Sequence, residues 1–98
     1  MTNQFMILTA GIDIHHRTKV LADIAVERLR QYAKWGIQSH GINSWLMILG
    51  EEFGEACKAG NEAYFRDNPL DSLRKELIHT AAVCVAIIEA IDGVGDIS

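Results

Sequence analysis

Three stretches of the chain carry apolar residues at helical spacing, separated by short polar connections. From Lys19 to Trp35, Leu21, Ile24, Ala25, Leu29 and Tyr32 recur every three or four residues, which places them on one face of an α-helix. Glu27, Arg28, Arg30, Gln31 and Lys34 fall around the rest of that helix, and Gly36 suits its end because glycine accepts a left-handed conformation. A second helix is predicted after a cap at Asn43 or Ser44, running to about Phe65. The third is predicted over about 69 to 92, with Asn68 as N-cap, Pro69 in the first helical position and Asp92 with Gly93 as the stop. Between Leu77 and Ile91 nearly every side of this helix is apolar, a pattern stable only when neighbours surround it. It is therefore expected to be the central helix of a bundle and to reach a subunit interface. Residues 1 to about 18 show no sustained period and form an arm of uncertain conformation before a single helical domain over 19–98.

Size and composition sharpen this outline. A chain of 98 residues suits one domain but buries a modest share of its surface when it folds alone. With 49% hydrophobic and 22% charged residues, part of the apolar surface is expected to meet another copy in a homodimer or homotetramer. A net charge of −4 argues against direct nucleic-acid binding, which rests on phosphate neutralisation by Lys and Arg. An acidic protein that handles phosphates needs metal ions between the like charges. Cys57 and Cys84 lack CxxC spacing and read as buried, reduced core residues of a cytoplasmic protein. The segment before Ile12 has no basic start, and its apolar run, Phe5 to Leu8, is too short for a secretory signal. The apolar stretch from Ala81 to Ile88 falls far short of the roughly 20 residues of a membrane helix, so no span is expected.

The second helix breaks its own pattern. Its stripe reads Trp45, Ile48, Leu49, Glu52, Phe53, Ala56, so a carboxylate stands where an apolar residue belongs. Glu55 lies three residues beyond Glu52 and four beyond Glu51, close enough on one helical surface for mutual repulsion unless a cation compensates. Glu76 and His79 form a similar i, i+3 pair on the third helix. Antiparallel packing across the connection near Tyr64 to Pro69 brings the two sets level, and facing carboxylates of this kind hold divalent metal in helical bundles. Each Glu taken singly also suits a solvated surface beside Lys58, Arg74 or Lys75, and Glu52 suits it least.

The runs EEFGEA at 51–56 and ELIH at 76–79 resemble the two acidic motifs, ExxE then ExxD, of the MazG-like nucleoside triphosphate pyrophosphohydrolases. The stretch ERLRQYAKWGIQSH at 27–40, with Trp45 and Leu49, resembles the leading region of short MazG-like proteins common in bacteriophages and prophages. The resemblance covers roughly residues 20–92. It implies an all-α antiparallel bundle completed by oligomerisation, which cleaves a nucleoside triphosphate between its α and β phosphates. Glu52, Glu55, Glu76 and His79 would be metal ligands, and Glu51 would orient or deprotonate water. Lys34 and Arg74 would meet phosphates, and Trp35 and Gln38 a base. His79 stands where catalytic members usually carry Asp. Either it joins a site that takes Mg2+ less readily and Mn2+ better, or it packs as a polar residue at a helix interface. Trp35 equally suits a helix-end aromatic, Lys34 a helix C-terminus and Arg74 a bridge to Glu51 or Glu55. The rival to an enzyme is a helical interaction or nucleotide-binding module that keeps the fold without turnover.

Overall fold

A computed structural model describes residues 13–93 as three helices: α1 over Ile14–Trp35, α2 over Ile42–Phe65 and α3 over Leu70–Ile91, with no strand among the described residues. Residues 1–12, most of the expected arm, lie outside the described residues. Helix α1 begins five residues ahead of its predicted start. Asp13 caps it, its carboxylate accepting from the His16 N–H at 3.0 Å while its carbonyl accepts from Arg17 at 2.8 Å. Residues 14–19 are exposed all round, which is why this first part carries no apolar period, and His15 and His16 are helical rather than loop residues.

The other ends show how backbone groups are satisfied. Gly36, at φ 72°, donates its N–H to the Tyr32 carbonyl at 2.7 Å and stops α1. Helix α2 starts at Ile42 with Gly41 as N-cap and no side-chain capping bond, so Asn43 and Ser44 lie within its first turn instead of capping it. At the α2–α3 connection Asp67 takes a positive φ of 54°, a conformation that short polar side chains tolerate. Pro69, in extended conformation, is the N-cap of α3 rather than its first helical residue. Asp92 and Gly93, the latter at φ 91°, end α3 at the predicted stop.

Helix α3 packs against both α2 and α1, while α1 and α2 scarcely meet, as the apolar run from Leu77 to Ile91 implied. Leu73 lies beside Gly60 near one end of the α2–α3 pair, and Trp45 packs with Val83, Ala86, Ile87 and Ala90 at the other. The two helices are thus antiparallel. Asp23 meets Arg74 and Glu27 meets His79, so α1 runs in the same direction as α3. Buried alanines at positions 56, 59 and 63 of α2 and 82, 86 and 90 of α3 leave little bulk between backbones.

Helix α1 reverses the expectation about its faces. Its apolar stripe is largely open, with Leu21, Leu29 and Tyr32 exposed, and its buried residues are Glu27 and Gln31. Phe53, on the predicted stripe of α2, is also exposed, and so is Cys57; Cys84 is half-buried. The expectation of two core cysteines is therefore corrected. Both lie at positions where periodicity could not distinguish a face covered within one chain from a face left open. No helix of the described residues is long and apolar enough to cross a membrane.

Candidate metal centre

Glu52 on α2 and Glu76 and His79 on α3 converge, with one potential ligand atom from each lying within 4.8 Å of the others. All three are half-buried. The antiparallel register explains the meeting: Glu52 interrupts the α2 face that packs on α3, and Glu76 and His79 are one turn apart on the facing helix. Two ligands of one ion, at bonds of about 2.0–2.2 Å, lie at most about 4.4 Å apart. Only one pair of the three can stand that far apart, on opposite sides of the ion, so the side chains would draw closer together for all three to share it.

Helix α1 supplies a carboxylate that the sequence had not singled out. Glu27 of α1 is buried, and its Oε1 is 3.7 Å from His79 Nε2, while His79 Nδ1 is 3.4 Å from Glu76 Oε2. The imidazole thus stands between two carboxylates from different helices. Glu27 also accepts from Arg30, Nε to Oε1 at 2.8 Å and Nη2 to Oε2 at 2.7 Å, and from Gln31 Nε2 at 3.2 Å. The Arg30 hydrogen bonds hold the Glu27 carboxyl below its ordinary value, overcoming the opposing effect of burial; His79 and Gln31 assist. Arg30 is in turn held more firmly protonated, chiefly by Glu27, with a smaller contribution from the charge of Glu52.

Beside the cluster lies a cavity of about 200 Å³, whose lining includes Glu52, His79 and Arg30 together with Trp35, Gln38 and Trp45. Two of the residues assigned to a base, Trp35 and Gln38, therefore border the same space as two of the assigned ligands. Trp45 is 2% exposed and His40 packs edge-on against it at 4.8 Å between ring centres. Trp45 Nε1 and His40 Nε2 are buried with no hydrogen-bond partner.

The remaining assigned residues stand apart from this convergence. Glu51 and Glu55 are exposed and do not line the cavity. Arg74 donates to Asp23 on α1 at 2.6 Å, rather than bridging to Glu51 or Glu55. Lys34 places its ammonium 4.7 Å from the centre of the Trp35 ring. Glu27 and Arg30 escaped the sequence analysis because a polar pair at i, i+3 looks like an ordinary solvated helix face. The signal for Glu27 was the run Ile24, Glu27, Gln31, Trp35, which follows a single helical stripe once the apolar content is ignored, and Arg30 becomes visible only as the partner of Glu27.

Two carboxylates and an imidazole are a donor set that manganese, cobalt or zinc accept readily and magnesium less so. Comparison with known protein families, with curated proteins and with solved structures finds no match to this chain.

Proposed function

We propose that this protein is a divalent-metal-dependent nucleoside triphosphate pyrophosphohydrolase of the MazG-like kind, active as a homodimer or homotetramer. The observation that carries the reading is the convergence of Glu52, Glu76 and His79 from two antiparallel helices, next to a cavity bordered by Trp35 and Gln38. The motif resemblance had paired these same elements. Glu52, Glu76 and His79 would hold the ion, with Glu55, one turn from Glu52, as a further oxygen donor. A divalent ion bound there would neutralise phosphate charge and lower the pKa of a coordinated water. Glu51 is the residue proposed to orient or deprotonate that water, and the flat face of Trp35 with the amide of Gln38 suits a nucleobase.

A second reading has its own observation. Arg30 forks onto Glu27, and His79 lies between Glu27 and Glu76, so the carboxylates already have neighbours able to offset their charge. Such a cluster could serve as a polar lock between helices in a protein that binds nucleotides or partners without turnover. Incubation with a panel of nucleoside triphosphates, with Mg2+ or Mn2+, and detection of pyrophosphate separates the two. Metal-dependent pyrophosphate release, greater with Mn2+, is expected; saturable nucleotide binding without product would support the second reading and remove the first.

A further inference from the structure

We propose that Arg30 receives the phosphate groups of a nucleoside triphosphate, an inference that rests on the pyrophosphohydrolase reading. The guanidinium is fixed at its inner edge by two parallel bonds to Glu27, at 2.8 and 2.7 Å. Those bonds use two of its five N–H donors, the Nε–H and one on Nη2, leaving three along the outer edge. Its anchor is itself fixed, because Glu27 is buried and accepts a further bond from Gln31. An arginine held in this way has lost much of its rotational freedom before any ligand arrives, which lowers the entropy cost of binding an oxyanion.

Position gives the outer edge its purpose. Arg30 lines the cavity that holds Glu52 and His79, and also a second space of about 460 Å³ that shares Glu27 and His79 with the first. Its side chain is half exposed, so the free donors are open to a ligand. The competing cations are placed less well. Arg74, Lys34 and Lys75 do not line the space that contains Glu52, and of the three only Lys75 reaches the second space. A planar guanidinium also matches two phosphate oxygens at once, where an ammonium acts as a point charge. Anionic phosphates drawn to Arg30 would lie in the cavity that Glu52 and His79 also line.

The test uses the full chain and three readouts. Arg30→Ala removes the donors, and Arg30→Lys keeps a charge beside Glu27 if the alanine variant fails to fold. Both are expected to raise KM for the triphosphate about tenfold or more, while Mn2+ binding is not weakened. In the wild type, the Arg30 Nε–H resonance, assigned by its loss in Arg30→Lys, should shift on titration with inorganic pyrophosphate and Mg2+. An unchanged KM in a folded variant, or an Arg30 resonance that stays fixed at high pyrophosphate, overturns the proposal. A wild type that turns over no triphosphate with any metal sinks the enzymatic reading instead, and the pyrophosphate titration then decides on Arg30 alone.

Discussion

Glu27 shows how a single buried carboxylate ties the cluster to acid. Its folded-state carboxyl lies below the ordinary 4.5, chiefly through Arg30, so its contribution to stability is complete above that value and is lost as pH falls through the lowered one. Asp23, lowered first by Arg74 and then by Lys19, titrates in the same direction on the surface. Glu27→Gln is therefore expected to cost about 1–3 kcal/mol at pH 7 and to flatten the loss of melting temperature below pH 4.5, leaving the slope due to Asp23. An unaltered acid slope would show that Glu27 is not stabilised as described. His79→Asp sets a fourth carboxylate beside Glu27, Glu52 and Glu76. Without metal it should lower stability by about 2–4 kcal/mol, and Mg2+ should restore much of it if the cluster is a metal site. Calorimetric melting with and without Mg2+ distinguishes this from a polar contact, for which Mg2+ makes no difference. Glu52 was legible because it interrupts an apolar stripe, and Glu76 with His79 because they are one turn apart where the chain turns apolar. Glu27 was not legible, since only the direction in which α1 faces reveals that its polar side is the covered one.

The C-terminal ends of the helices follow local chemistry, their N-caps shift by one to three residues or more from the expected ones, and their faces follow tertiary packing. Gly36, Phe65 and the Asp92–Gly93 stop lie where sequence signals put them, because glycine at positive φ and the chemistry of a Pro-containing connection are local matters. The start of α1 was missed for the opposite reason: periodicity reports burial, and its first turns are exposed. Asp13→Ala should cost about 0.5–2 kcal/mol and fray that exposed turn, visible as faster amide exchange at His16 and Arg17. Unchanged exchange there would place the start of the helix elsewhere. Ala82 is completely buried on α3. Ala82→Leu should destabilise by about 1–3 kcal/mol in chemical denaturation, because overpacking forces neighbouring helices apart. A neutral effect would mean that α3 is less closely surrounded than described.

The molecule as a whole is more extended and more apolar outside than a chain of its size needs to be. Its radius of gyration is 15.3 Å, against about 13 Å for a compact domain of 100 residues. Leu21, Leu29 and Tyr32 of α1 and Val85, Ala86 and Ala90 of α3 line an open groove of about 760 Å³, which is largely apolar apart from Gln38 and the Arg28–Glu89 pair at 2.9 Å. A surface of this kind favours association, and sedimentation at micromolar concentration is expected to give a dimer or tetramer rather than a 10.9 kDa monomer. The separate apolar faces were legible from composition and period, but which face meets a neighbour of the same chain was not. The proposed function requires facing residues of α2 and α3 to make one metal site at which a triphosphate is opened between its α and β phosphates. Product analysis of a nucleoside triphosphate with Mn2+, comparing the wild type with Glu52→Gln at equal folded concentration, tests it most directly. Equal amounts of monophosphate and pyrophosphate are expected from the wild type, none without metal, and release at least about tenfold slower from Glu52→Gln. Release at the same rate from both proteins, or diphosphate with inorganic phosphate as the products, would contradict it.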